Sequence, residues 1–327
     1  MADRVGWGIL GTGRIAVKFA DDLQHAPGAA LTAVGSRSAE TAETFGRRFR
    51  IPHRHASYEA LVNDPDVDVV YVSTPHGLHA ENTRLALEAG KAVLCEKPFT
   101  LNARQANETI ALSRQRSLFL MEAMWTRFLP TIVDLRRMLA DGLLGDVRLL
   151  AADFGLQFAL EPGRWLFAPD LGGGALLDLG VYPVSLASMV FGPPTLITSL
   201  AAMGETGVDE QAGIVFRYPQ GQIACLYATS RVTTPTEATL VGTRGRLRIQ
   251  APMFSPEGVT LSFPGQKDRR VTRHIRGIGL HYQATEVMRC LTEGKRESNV
   301  MPLDESLAVM ETLDAIRAQW GLRYPGE

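Results

Sequence analysis

The chain has 327 residues, which at about 150 per domain allows two domains, and its 45% hydrophobic and 21% charged residues match a globular protein with a sizeable core. Its 34 Lys and Arg against 35 Asp and Glu leave a formal net charge of -1, so no basic excess exists to neutralise a nucleic-acid backbone or to dock on an anionic membrane. Cys95, Cys225 and Cys290 are too scattered for a disulfide framework or a zinc finger, and with no secretion signal and no uninterrupted apolar run of about 18 residues the expected location is cytoplasmic.

The first 120 or so residues alternate short apolar runs with amphipathic stretches, the pattern of βα units building a parallel sheet. Strands are expected at Val5–Leu10, Leu31–Gly35, Val67–Ser73, Ala92–Cys95 and Ser117–Glu122. Helices are expected at Ile15–His25, Ala39–Phe49, Tyr58–Asn63, His79–Ala89 and Asn102–Arg114. After a helix at Pro130–Leu139 the pattern changes to successive strands: Val147–Phe158, Leu196–Met203, Ala212–Tyr218, Ile223–Ser230, Ala238–Val241, Leu247–Gln250 and Val259–Phe263. A final helix opens at Pro302 with Asp304 and Glu305 and repeats Val309, Leu313, Ile316 and Trp320 on one face. The expectation is a doubly wound α/β Rossmann domain over residues 1–124, followed over 125–327 by an α+β domain with a large, mostly antiparallel, open-faced sheet.

Gly11-Thr12-Gly13-Arg14-Ile15-Ala16 follows the first strand and opens a helix, the required context for a dinucleotide fingerprint. Gly11 permits the tight turn, Gly13 lets the backbone approach a pyrophosphate, and the helix end offers N–H groups to it. The second strand ends in Gly35-Ser36-Arg37-Ser38, with no carboxylate to bind a ribose 2′-hydroxyl or repel a 2′-phosphate. Ser36 and Ser38 can donate hydrogen bonds and Arg37 can pair with the phosphate, so NADP(H) is the expected cofactor. Glu96-Lys97-Pro98 puts two charges at the carboxyl end of a parallel strand, where open α/β sheets bind ligands.

These motifs, with Ser73-Thr74-Pro75-His76 and the antiparallel second half, resemble the glucose-fructose oxidoreductase/inositol dehydrogenase family. Glu122-Ala123-Met124-Trp125-Thr126-Arg127-Phe128 and Gly172-Gly173-Gly174-Ala175-Leu176-Leu177-Asp178-Leu179-Gly180-Val181-Tyr182-Pro183 narrow the resemblance to the dimeric dihydrodiol dehydrogenases and NADP-dependent D-xylose dehydrogenases. The resemblance implies that Lys97 is the active-site lysine and that Asp178 and Tyr182 face the nicotinamide. It also implies cofactor-side roles for Ser73, Thr74, Pro75, His76, His79, Glu96, Arg164 and Trp165. Asp178 and Tyr182 are four apart, one turn from each other on a helix expected after Gly174. Trp125, Phe154 and Trp165 are candidates to wall a pocket for a sugar or diol ring.

The expected function is hydride transfer between NADP(H) and a secondary alcohol or hemiacetal of an aldose or cyclic vicinal diol. One alternative is reduction of a keto- or deoxy-sugar such as 1,5-anhydrofructose, whose enzymes carry a His where this chain has Tyr182. Another is a non-catalytic NADP-sensing regulator, against which intact Lys97, Asp178 and Tyr182 argue. No third or fourth ligand has matching spacing beside His76 and His79 or His53 and His55, so no metal site is expected. The Arg269, Arg270, Arg273 and Arg276 ladder reads as a solvated strand or loop. An antiparallel sheet with one uncovered face is expected to pair with a second copy, giving a homodimer.

Overall fold

The computed structural model describes residues 4–159 and 165–327. The chain divides into two compact units, the first running to Phe128 and including Arg276–Leu307, the second comprising Leu129–Ile275 and Ala308–Glu327. This differs from a single cut near residue 124, because the chain returns to the first unit late.

In the first unit β1 (Val5–Leu10), α1 (Arg14–Leu23), β2 (Ala29–Gly35), α2 (Ala39–Phe49), β3 (His53–His55), α3 (Tyr58–Val62), β4 (Val69–Val72), α4 (His79–Glu88), β5 (Ala92–Glu96), α5 (Ala103–Arg116) and β6 (Leu120–Ala123) follow in order. The strands form one parallel sheet in the order β3-β2-β1-β4-β5-β6. The order reverses direction between β1 and β4, which leaves a crevice at their carboxyl ends. β4, β5 and β6 are buried at every position, as their unbroken apolar runs require when helices cover both faces. Ser38, Ser57 and Asn102 start α2, α3 and α5 by accepting backbone N–H groups three residues on.

Two elements here lacked a sequence signal. β3 reads His-Arg-His at the sheet edge, with no apolar run to announce it. The helix at His281–Thr292 has no side-chain cap. It is tied instead to Asp22 of α1, which accepts from the backbone N–H groups of Ile278 and His281 at 2.9 Å and faces His281 Nδ1 at 3.0 Å. Burial pushes the Asp22 carboxyl up, but these hydrogen bonds outweigh it and hold the group below its ordinary value.

The second unit contains α6 (Pro130–Ala140), β7 (Val147–Gly155), a π-helical turn (Leu176–Gly180) running into α7 (Val181–Phe191), and β8 (Leu196–Met203), β9 (Asp209–Arg217), β10 (Ile223–Thr229), β11 (Ala238–Gly242), β12 (Arg246–Ile249), β13 (Gly258–Ser262) and β14 (Arg269–Thr272). With α8 denoting His281–Thr292, the last helix α9 spans Leu303–Ala318. The eight strands order as β14-β13-β12-β11-β7-β10-β9-β8, antiparallel throughout except for the parallel β7–β10 pair. The arginine ladder thus begins as the edge strand β14. β9 from Ala212 to Arg217 and β10 from Ile223 to Ala228 alternate between buried and exposed positions. Ile214, Phe216, Ala224 and Leu226 form the buried face, while Leu149, Val215, Tyr227 and Leu200 remain 38%, 45%, 45% and 80% exposed on the other. The apolar stretch Pro169–Phe191 is long enough to cross a membrane, and 72% of its most apolar window is buried inside the protein, as in a core helix.

Candidate active site

In the first unit, the turn between β1 and α1 consists of Gly11, Thr12 and Gly13 alone. Gly11 has φ 104°, and a Cβ there would lie 3.1 Å from the Ser73 carbonyl oxygen, so only glycine fits. Gly13 caps α1 without a side-chain hydrogen bond. A Cβ on Gly13 would meet nothing nearer than the Ser73 oxygen at 4.0 Å. The space above the helix end is open, and a side chain would fill it. The first-turn N–H groups, including those of Arg14 and Ile15, together with the positive dipole end, suit a pyrophosphate there. Ala16 is fully buried, which lets α1 pack closely on the sheet.

At the end of β2 the two serines do different work. Thr41 Oγ–H donates to the Ser38 carbonyl oxygen at 3.0 Å, so the Ser36 hydroxyl, 2.5 Å from Thr41 Oγ1, directs its proton to Thr41. Ser36 Oγ also accepts from the Ser38 N–H at 3.3 Å. Ser38 Oγ accepts from the Thr41 N–H at 3.4 Å and keeps its own proton to donate. Arg37 is exposed, with its guanidinium against the Tyr58 phenol. Burial pushes that phenol up, and Arg37 opposes the shift in part. No carboxylate stands at 35–38. Arg37 and Ser38 are therefore the exposed polar side chains at the end of this strand. Tyr58 had no sequence signal, because it is twenty-one residues from Arg37 and reaches it only through the fold.

After β4, the Ser73 N–H and Oγ–H both donate to the Leu10 carbonyl oxygen at 3.0 Å, locking this loop to the glycine turn. Asn82 Nδ2 donates to Thr74 Oγ1 at 3.1 Å. His79 is fully buried, its Nδ1 2.8 Å from the Pro98 carbonyl oxygen and its Nε2 2.9 Å from that of Thr74. Burial first, and Lys97 second, push its pKa down to about 4, so a neutral ring donates to one of the two carbonyls. It joins the Ser73-Thr74-Pro75 loop to the Lys97-Pro98 loop and holds both rather than lining them. His76 opens the following 3-10 turn, its ring 5.6 Å from that of His79. Glu96 is buried and accepts from Tyr71 O–H at 2.5 Å and from the Lys97 N–H at 3.2 Å, which leaves half-buried Lys97 at the carboxyl end of β5. The Lys97–Pro98 peptide is cis. Trp125 begins a 3-10 turn, is 9% exposed, and belongs to this unit, whereas a boundary at 124 puts it in the second domain.

In the second unit, Asp178 lies in the π-helical turn and Tyr182 in the first turn of α7, 9% and 8% exposed. The helix therefore starts with i→i+5 geometry where an α-helix is expected, a feature that recurs at functional sites. Gly174, at φ 114°, precedes it; a Cβ there would strike Asp209 Oδ1. Asp209 is wholly buried and accepts from the Leu176 N–H at 2.7 Å. Burial raises its pKa to about 6, with the backbone N–H groups of Leu176 and Ala175 opposing. Tyr324 O–H donates to the Gly173 carbonyl oxygen at 2.6 Å. Asp209 and Tyr324 thus hold the turn that carries Asp178, and neither has a local sequence signal.

The Tyr182 ring packs on Phe154, centroids 5.3 Å apart, and on Phe254 at 5.9 Å, while Phe154 and Phe254 stack at 4.7 Å. Phe254 sits in a turn after β12 and was not legible as a member of this group. Trp165 opens a short 3-10 turn, and Arg164 lies outside the described residues.

Residues 5–124 match a family model described as oxidoreductase family, NAD-binding Rossmann fold, and residues 132–248 match the GFO/IDH/MocA C-terminal domain. Human trans-1,2-dihydrobenzene-1,2-diol dehydrogenase is 38% identical over 328 residues, covering 98% of each chain. The Xenopus tropicalis protein of the same name is 36% identical over 98% of this chain and 99% of its own. Among solved structures, KijD10, a 3-ketoreductase from Actinomadura kijaniata in complex with NADP and TDP-benzene, superposes with a TM-score of 0.87 at 28% identity, covering 97% of this chain and 98% of that one.

Proposed function

The chain belongs to the glucose-fructose oxidoreductase/inositol dehydrogenase family of oxidoreductases, and from that premise we propose that it is an NADP-dependent dehydrogenase of cyclic vicinal diols or aldoses. The observation that carries the cofactor reading is the β2 loop: exposed Arg37 and the free-donating Ser38 hydroxyl, with no carboxylate beside them. The substrate class rests on the dihydrodiol dehydrogenases to which the chain is similar over its whole length.

Gly11 and Gly13 with the α1 N-terminus would hold the pyrophosphate, and Arg37 and Ser38 the 2′-phosphate. The bound nicotinamide would supply the hydride chemistry. The chain's own residues handle the proton that an alcohol loses on oxidation or a carbonyl gains on reduction. Lys97 of the first unit and Asp178 and Tyr182 of the second are the side chains we assign to that proton. Glu96 and His79 act by positioning the loop that bears Lys97. Phe154 and Phe254 hold the Tyr182 ring at a fixed angle.

The ketoreductase neighbour supports a second reading, in which the same residues run in the reducing direction on a keto-sugar. A nicotinamide-absorbance screen with oxidised and reduced cofactor against dihydrodiols, pentoses, hexoses and keto-sugars separates the two. Oxidation of diols or aldoses with NADP is the expected result. Reduction of keto-sugars alone moves the function to the second reading, and tight NADPH binding without any turnover contradicts both.

The exposed apolar face of Leu149, Val215, Tyr227 and Leu200 supports a homodimer through this sheet. A depression of about 460 Å³ lined by Leu200, Tyr227 and Val232 indents it. Light scattering at micromolar concentration is expected to give the dimer mass; the monomer mass refutes it.

A further inference from the structure

We propose that His53, His55 and Asp64 bind a divalent d-block cation, Zn²⁺ foremost, at the edge of the parallel sheet. The two histidines are alternate residues of β3, so their imidazoles stand on the same side of the strand. Sequence spacing supplies no third ligand, but the chain reversal through α3 does. Asp64 Oδ2 lies 2.7 Å from His53 Nδ1 and 2.7 Å from His55 Nε2. The three donor atoms all fall within 4.8 Å of one another. An ion with ligand bonds of about 2.0–2.2 Å in tetrahedral geometry holds its donors about 3.3–3.6 Å apart, so only small ring movements separate this cluster from a coordination sphere.

The carboxylate is aimed before any ion arrives. Its Oδ1 accepts from the Asp66 N–H at 3.0 Å, which turns Oδ2 to the rings. The Asp64 and Val67 carbonyl oxygens are both pinned by Lys91 Nζ at 2.8 Å. Asp66 Oδ2 lies 3.7 Å from the other His53 nitrogen, Nε2. His53 Nδ1–H donates to Asp64 as it stands; when a cation takes Nδ1 the ring proton moves to Nε2, where the Asp66 carboxylate is placed to accept it. Asp64 is 3% exposed while the His53 and His55 side chains are 37% and 24% exposed, so the anchor is buried and the approach is open. Two imidazoles and a carboxylate, with water in the fourth position, suit Zn²⁺. The His55 carbonyl oxygen accepts from the Ser36 N–H at 3.1 Å, so the ion would clip the strand that backs the Arg37 loop. The proposal does not depend on which substrate the enzyme takes.

The test is competition for Zn²⁺ between the full-length protein and a chromophoric chelator. The comparison protein is the double variant His53→Gln/His55→Gln, because glutamine still donates an N–H to Asp64 and is a poor zinc ligand. The wild type is expected to take one equivalent, and the variant to lose affinity by about 100-fold or more, beyond the roughly 10- to 100-fold that an outer partner costs. Its circular dichroism without metal should be unchanged. Cys225→Ser, which removes the exposed thiol, should bind as the wild type does. No zinc taken by the wild type, equal affinity in the double variant, or loss of binding in Cys225→Ser would each overturn the proposal.

Discussion

The two units each build a helix start on a glycine turn, and they finish it in opposite ways. The Gly11–Gly13 turn leaves α1 without a side-chain cap and open above Gly13. The Gly172–Gly174 turn is closed by the protein itself, with the buried Asp209 carboxylate accepting the Leu176 N–H. A helix end that offers its N–H groups to an anionic ligand is left uncapped by side chains, by backbone geometry alone. One meant to fix side chains is occupied by an internal anion, drawn from thirty-three residues away. The first kind is local and the second is not, and each variant below acts on one side of that contrast.

The largest effect is expected at Lys97. Lys97→Met should bind NADPH as the wild type does and lose about 10²- to 10⁴-fold in turnover, the range of a general acid–base contribution. Fluorescence titration beside steady-state rates checks both halves; near-normal turnover would remove Lys97 from the proton path.

Next in size is a pH effect on stability, since each unit buries a carboxyl with a raised pKa. Glu122 is pushed up to about 7 by burial, which outweighs Ser306 and Arg127, and Asp209 is at about 6. A folded-state pKa above the unfolded value means that the unfolded chain loses its proton first. The stabilising contribution is therefore full below about pH 4 and disappears as pH rises through 6 to 7. For Glu122 this amounts to about 3 kcal/mol, at about 1.4 kcal/mol per unit. Urea melts of Glu122→Gln should show a flatter decline between pH 4 and 7 than the wild type; parallel declines would mean that the carboxyl is not the source.

Arg37→Asp should weaken NADPH by about 10- to 150-fold, the worth of a charge-assisted hydrogen bond, and leave NADH nearly unchanged. Parallel calorimetric titrations measure this, and equal losses for both cofactors would place Arg37 elsewhere than on the phosphate. Smallest is Asp209→Ala. By orphaning the Leu176 N–H it should cost about 1–3 kcal/mol of stability and lower kcat with NADPH affinity intact, read from chemical melts and initial rates. An unchanged kcat would mean that the turn positions nothing catalytic.

The same contrast separates what the sequence makes legible from what only the fold reveals. The Rossmann unit, its glycine turn and the absence of a carboxylate after β2 could be read because strand periodicity and glycine are local signals. The antiparallel sheet was legible from alternation in β9 and β10. The three-residue β3, α8 with no cap, Tyr58 beside Arg37, and Asp209 under Gly174 were not, since contacts distant in sequence create them. The π-helical turn around Asp178 also escaped, because a four-residue spacing reads as one ordinary helical turn.

The central claim is that carbon-bound hydrogen passes between substrate and the nicotinamide of NADP. The direct measurement uses a dihydrodiol or aldose deuterated at the carbinol carbon, incubated with oxidised NADP and analysed by the mass of the reduced cofactor. Deuterium in the reduced cofactor with the wild type, formed about 10²- to 10⁴-fold more slowly with Lys97→Met, is the predicted result. Reduced cofactor free of deuterium, or no reduced cofactor from any of these substrates, would contradict the account.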